Sequence, residues 1–281
     1  MTKVRYEGRR VIVAGGGGAG MGAATARLVR ELGAEVAVLD LRAPADASGV
    51  SFLSTDLSDP DQISRAVEKV GSPVHALFNC QGISGTAPAT SSELVMRVNF
   101  LGVRHLTETL LPLMPAGSAV ASISSSGGMG WPRRLETIRE LLATESFEEG
   151  LRWVGTQTAG LLALAFPNSY AFSKQALIVW TMHRAVTAIT RGVRVNCTSP
   201  GSTRTPMAPD FPTEGVEFMN QPSGRESAPE EQAWPLLFLN SDAASYVNGV
   251  NLAVDGGHSS ARTLGLLDTL EGNRGSFPRP T

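Results

Sequence analysis

Tyr170 and Lys174 stand four residues apart in "SYAFSK", a spacing that puts both side chains on one face of a helix. A free phenol titrates near pH 10 and carries protons poorly at neutrality. An ammonium one turn away favours the phenolate, and lowering a phenol from about 10 to about 7 takes roughly 4 kcal/mol of differential stabilisation. Cations in a partly dry cleft supply energies of that size. Pairs at this spacing are also common on helices with no chemical role, so the rest of the chain must decide.

A second concentration of special residues lies in "VIVAGGGGAGMGAATARLV", which reads as a strand, a glycine-rich turn and a helix. Gly16, Gly20 and Gly22 have the spacing G-x-x-x-G-x-G. Without side chains the backbone can approach a pyrophosphate, and the helix N-terminus offers unpaired N–H groups. A glycine triplet alone is weak; its place in the first strand–helix turn gives it weight. Asp40 closes the second strand in "VAVLDLR", 24 residues after Gly16. A carboxylate there accepts from adenosine ribose hydroxyls and repels a 2′-phosphate, which favours NAD over NADP. Arg42, two residues later, is expected to be solvated. Asp56 in "STDLSD" ends a further short strand and either caps the following turn or hydrogen-bonds the adenine.

These residues need a scaffold, and the hydrophobic pattern describes one. "RRVIVAG", "AEVAVLD", "VHALFNC", "SAVASIS", "VRVNCTS" and "VNLAVDG" are short β-branched runs without polar alternation, as in strands buried on both faces of a parallel sheet. Residues 21–32, 60–70, 91–113, 170–190 and 229–239 carry helical spacing. The alternation predicts a single-domain, Rossmann-like, doubly wound α/β fold spanning 1–281, with helices on both faces. Residues 131–168 interrupt the rhythm and are expected to form inserted helices. Residues 203–224, rich in Pro, Gly and polar residues, read as a long substrate loop. Residues 258–281 read as a tail that packs on a neighbour.

Composition excludes several classes. The chain of 281 residues is 42% hydrophobic and 18% charged, with a formal net charge of −2. No basic excess or basic–aromatic stripe points to nucleic acid or an anionic membrane. No apolar run approaches the ~18 residues of a membrane span. The run Val11–Ala14 is too short for a secretory signal, so a cytoplasmic protein is expected. Cys80 and Cys197 lack paired spacing and read as buried thiols. His75, His105, His183 and His258 show no ligand spacing, so no metal is expected. No G-x-S-x-G elbow supports a serine hydrolase.

Taken in order, the motifs resemble the short-chain dehydrogenase/reductase family over about residues 8–257. The glycine turn matches with Gly15 where the family usually has Thr. "NCQG" (Asn79–Gly82) resembles N-N-A-G, with Cys80 and Gln81 as departures. Asn99 in "RVNFLG" matches the active-site asparagine, "SISSSGG" the strand end with the catalytic serine, "YAFSK" the Y-x-x-x-K motif, and "SPGSTRTPM" the P-G segment beside the nicotinamide. The long interval before Tyr170 is similar to that of bacterial 3α-hydroxysteroid dehydrogenase/carbonyl reductases.

The resemblance implies an NAD-dependent interconversion of a secondary alcohol and a ketone. Tyr170 would take the alcohol proton and Lys174 would stabilise the phenolate and bind the nicotinamide ribose. Ser125 would steady the substrate oxygen, and Asn99 would hold a water in a proton relay. Ser124 and Ser126 are adjacent, and a one-residue slip would turn a different hydroxyl inward. Cofactor contacts are implied for Gly16, Gly20, Met21, Gly22, Asp40, Asp56, Leu57, Asn79, Gly82, Tyr170, Lys174, Pro200, Gly201, Thr203 and Thr205. The insertion and the 203–224 loop, through Trp131, Phe147, Trp153, Phe211 and Phe218, are expected to line an apolar pocket for a cyclic, hydroxysteroid-like alcohol. A homodimer or homotetramer is implied. The other class of function is a catalytically idle dinucleotide-binding redox sensor or scaffold; retention of Asn99, Ser125, Tyr170 and Lys174 together favours the enzyme.

Overall fold

A computed structural model of the protein describes residues 4–87, 90–158, 160–162 and 169–267. Seven parallel strands form one sheet: β1 (Arg10–Ala14), β2 (Glu35–Asp40), β3 (Val50–Ser54), β4 (Ala76–Asn79), β5 (Ala119–Ile123), β6 (Arg194–Pro200) and β7 (Asn251–Val254). Their order is β3-β2-β1-β4-β5-β6-β7, so the chain reverses direction across the sheet between β1 and β4. At that switch point the carboxyl ends of the strands open a crevice.

Successive side chains of β1, β2, β4 and β5 enter opposite cores. Ile12 and Ala14 of β1 pack with Leu39, Leu77 and Val120 on one face, while Val11 and Val13 pack with Val38, Phe78 and Ala121 on the other. Burial on both faces explains the strand runs without polar alternation. The first core is covered by α2 (Pro60–Val70), α4 (Gly102–Leu110) and α7 (Tyr170–Ala188); the second by α1 (Met21–Glu31) and α9 (Pro229–Asn240). Helix α2 shows how local sequence sets such an element. The Asp59 side chain accepts from the N–H groups of Asp61 and Gln62, Pro60 takes the first position, and Gly71 ends the helix at φ +70°.

Three expectations are corrected. The helical stretch 91–113 is interrupted: α3 (Ser92–Met96) passes into a π-turn at Arg97–Leu101, which carries Asn99, before α4 begins. The segment 203–224 is more than a loop, since it contains a 3₁₀ turn (Ala208–Asp210) and α8 (Thr213–Met219). The inserted helices α5 (Leu135–Leu142) and α6 (Phe147–Gln157) exist but pack away from the crevice. They build a third core against α7, where Trp153 stacks on Phe172 at 5.8 Å between ring centroids. Arg104 secures them by donating to the carbonyls of Leu141, Thr144 and Ser146. Of the tail, α10 (His258–Thr263) is formed; residues 268–281 lie outside the described residues. No described helix is long and apolar enough to cross a membrane.

Candidate active site

Strand β5 and helix α7 bring the reactive side chains together. Lys174 Nζ donates to the carbonyl of Ile123, the last residue of β5, at 2.9 Å. Ser124 Oγ donates to the Lys174 carbonyl at 2.8 Å, so strand end and helix are tied twice. Tyr170 lies one turn before Lys174, whose Nζ is 5.8 Å from the phenol ring centroid. Ser125 stands with Tyr170 in the same cavity wall, where its side chain favours the phenolate.

The three serines have separate partners. Ser124 is buried and held on the α7 backbone. Ser126 points its hydroxyl towards Met219 Sδ at 3.9 Å. Ser125 has extended backbone, caps the following 3₁₀ turn by accepting from Gly127 N–H at 3.1 Å, and alone of the three meets Tyr170.

Electrostatically the pair differs from the simple expectation. Burial pushes the Tyr170 phenol above its ordinary value, and the Ser125 side chain pulls the other way. Burial likewise lowers the Lys174 ammonium to about 8, against small opposing contributions from Cys80 and Cys197. Desolvation therefore sets the direction for both groups in the protein by itself.

Asn99, fully buried, is placed by the π-turn. Its Oδ1 accepts from Ile83 N–H at 2.9 Å, and its Nδ2 donates to the Ile83 carbonyl at 3.0 Å and to Ser173 Oγ at 3.2 Å. The carboxamide thus fixes the segment after β4 instead of presenting free donors. That segment carries Gly82, where an added Cβ would lie 3.4 Å from Lys174 Nζ.

The dinucleotide turn fits an anionic ligand. A Cβ at Gly22 would lie 2.0 Å from the Gly15 carbonyl oxygen, whereas one at Gly20 meets nothing within 4 Å. The turn is closed on the protein side and open outward. Gly20 caps α1 with no side-chain hydrogen bond, and the first turn carries no acidic residue, which leaves its N–H groups and dipole for a pyrophosphate. Gly15 has φ +76°, and a Cβ there would lie 2.4 Å from Gln81 N, so the family's Thr would not fit this backbone. Gly16 packs against Val13 and Val38. Asp40 accepts from Gly17 N–H at 2.9 Å and from Arg42 N–H at 3.0 Å, one on each carboxylate oxygen. Each oxygen keeps a lone pair for a ribose hydroxyl.

Three residues predicted as cofactor contacts also have protein partners of their own. Asn79 is 1% exposed, and its Nδ2 donates to Thr107 and Ser122 hydroxyls; it ties β4 to α4 and β5. Asp56 accepts from the N–H and hydroxyl of Ser58, the turn-capping alternative. The Leu57 side chain is buried in the core, and a Cβ at Gly102 would lie 2.0 Å from the Leu57 carbonyl oxygen.

A cavity of about 430 Å³ opens beside Tyr170. Met21, Gly82, Ser125, Lys174, Pro200, Gly201, Thr203 and Thr205 all line it. Its outer wall is Met207, Phe211, Val216 and Met219, and Phe211 meets the Tyr170 ring edge-on at 5.7 Å. Of the predicted aromatic lining, only Phe211 contributes: Phe218 packs on His258, Phe147 on His105, Trp153 on Phe172, and Trp131 on the third core. The Met residues and Val216 were missed, because a Pro/Gly-rich segment hides a short amphipathic helix. Gln81 also stands in the cavity wall, and its buried carboxamide nitrogen and oxygen have no partner among the described residues. Its departure from N-N-A-G was the available signal.

Comparison with known proteins agrees with this architecture. Residues 10–135 match the family model described as short chain dehydrogenase, and residues 142–259 match one described as Enoyl-(Acyl carrier protein) reductase. The coniferyl-alcohol dehydrogenase of a Pseudomonas species is 34% identical over 89% of this chain and 96% of its own. The 3-alpha-hydroxysteroid dehydrogenase/carbonyl reductase of Comamonas testosteroni is 30% identical over 88% and 95%. A short chain dehydrogenase from Burkholderia cenocepacia, solved with NADP, shares the fold at a TM-score of 0.67 and 23% identity, covering 90% of this chain and 99% of that one. The chain belongs to the short-chain dehydrogenase/reductase family, and with it to the NAD(P)-dependent oxidoreductases acting on CH–OH groups.

Proposed function

We propose that the protein interconverts an apolar alcohol and its carbonyl compound with NAD, using Tyr170 as the proton carrier. The observation that carries this reading is the meeting of Tyr170 and Ser125 in the wall of one apolar cavity, with Lys174 Nζ beside the phenol ring. Residues of the glycine turn, Met21, Asp40, Gly82, Lys174 and the Pro200–Thr205 segment would hold the dinucleotide. When bound, an oxidised nicotinamide would supply the hydride acceptor and a positive charge. Tyr170 accepts the alcohol proton; Ser125 donates to the substrate oxygen and keeps the phenol oriented; Lys174, anchored on Ile123, favours the phenolate against burial. The added charge matters because burial moves the phenol further above its ordinary value.

NAD is preferred over NADP because Asp40 would face a 2′-phosphate at the adenosine ribose. The substrate is a neutral, cyclic alcohol of hydroxysteroid-like character, since the wall made by Met207, Phe211, Val216 and Met219 offers no charge. A homodimer or homotetramer is supported by Trp234 and Phe238, exposed one turn apart on α9.

The test measures reduced nicotinamide absorbance with steroid, terpene and simple cyclic alcohols, with NAD and NADP separately. Tyr170→Phe should lose at least about 10²-fold in kcat while the NAD Kd stays within about twofold. Full turnover in that variant would overturn the assignment, and activity confined to acyl-thioester substrates would overturn the substrate class.

A further inference from the structure

A hydrogen bond joins two rims of the cavity beside Tyr170. Ser84, on the segment after β4, donates to Asp210 Oδ2 at 2.6 Å, linking positions 126 residues apart. Ser84 is 4% exposed, whereas Asp210 sits at the surface. Asp210 ends the 3₁₀ turn Ala208–Asp210, and the next residue, Phe211, packs edge-on against Tyr170 at 5.7 Å. The far end of the same segment is held separately: Phe218 meets His258 edge-on at 4.9 Å, and His258 Nδ1 lies 3.1 Å from the Gln221 carbonyl oxygen. Between these anchors the segment supplies the outer cavity wall.

We propose that Asp210 is a positioning residue for the reaction: held by Ser84, it draws the 207–219 segment across the cavity and seats Phe211 against Tyr170. This rests on the reading of Tyr170 given above. The hydroxyl order follows from proton count. Ser84 spends its proton on Asp210, so the Thr86 hydroxyl, 2.9 Å from Ser84 Oγ, donates to Ser84. The chain runs Thr86 to Ser84 to Asp210, and an ionised acceptor at its end strengthens both links. A carboxamide at 210 keeps an acceptor oxygen; a methyl keeps none. Loss of grip is therefore graded from Asn to Ala. Because the hydrogen bond closes the wall and touches no reacting atom, its loss weakens substrate retention more than turnover.

The experiment compares Asp210→Ala, Asp210→Asn, Ser84→Ala and the Ser84→Ala/Asp210→Ala double variant with the parent protein, all loaded with NAD. Amide hydrogen exchange is read over residues 207–219, together with NAD Kd, and KM and kcat for a cyclic secondary alcohol. Asp210→Ala and Ser84→Ala are each expected to speed exchange in that segment about tenfold and to raise KM about tenfold, with kcat and NAD Kd within about twofold. Asp210→Asn should fall between, and the double variant should be no worse than Asp210→Ala. Unchanged exchange in both single variants, or single effects that add in the double variant, would overturn the proposal. If the parent oxidised no alcohol, the functional reading would fail, while the exchange comparison would still decide the role of Asp210.

Discussion

Lys174 Nζ makes its hydrogen bond to the Ile123 carbonyl, at 2.9 Å, while standing 5.8 Å from the Tyr170 ring centroid. The ammonium is thus positioned by the end of β5, beside the phenol ring rather than bonded to its hydroxyl. Burial of both groups opposes their charged forms, and Lys174 is depressed to about 8. The site holds its cation at a cost, which is what allows that cation to act in a poorly screened environment.

That cost is measurable through pH. Between about 8 and 10.5 the unfolded chain binds a proton at Lys174 that the folded protein has lost, so this residue makes stability rise with pH in that window. Below about 8 the folded protein carries the full penalty. Lys174→Met removes it, so the stability difference between variant and parent should shift by about 3 kcal/mol in the parent's favour from pH 7 to pH 10.5. Urea denaturation of both proteins at the two pH values checks this. An equal difference at both would show that the amine is not desolvated.

Ser125→Ala should lower kcat roughly 10²-fold without unfolding the protein, since only a cap and the contact to Tyr170 are lost. Ser124→Ala should instead cost about 1 kcal/mol of stability by freeing the Lys174 carbonyl from its partner. Steady-state kinetics beside thermal melts separates the two hydroxyls.

The two ends of the glycine turn should respond oppositely to a methyl group. Gly22→Ala places Cβ 2.0 Å from a carbonyl oxygen and should destabilise the fold by about 3 kcal/mol or more. Gly20→Ala meets open space in the protein and should leave stability within about 1 kcal/mol. It should nevertheless weaken NAD binding at least about tenfold, because the methyl occupies the approach to the α1 N-terminus. Calorimetric Kd values and denaturation midpoints test both.

Gln81 buries a carboxamide whose nitrogen and oxygen have no partner among the described residues. Gln81→Met keeps the volume and removes the unpaired polar atoms, so it should raise stability by about 1–2 kcal/mol. A lower denaturation midpoint would show that the amide is satisfied in solution.

Much of this was legible in residue order alone. Unbroken β-branched runs specify strands buried on both faces, and the Asp59–Pro60 start and Gly71 end of α2 are written locally. The glycine spacing and the Tyr170–Lys174 interval are likewise properties of one turn or one helix. Other features depended on neighbours distant in the chain. Helix α8 lies in a segment whose composition reads as loop, and it is held by Phe218 on His258. Asn79 has the residue type of a ligand contact, and its Nδ2 also ties Thr107 and Ser122, which no local pattern announces. Ser125 differs from its neighbours only in which way each hydroxyl faces, and the inserted helices carry the aromatic content of a pocket wall but pack on α7. Periodicity and caps are local energies that a short stretch carries with it. Which cavity a side chain reaches is decided by packing between segments tens of residues apart, and only the folded chain brings those together.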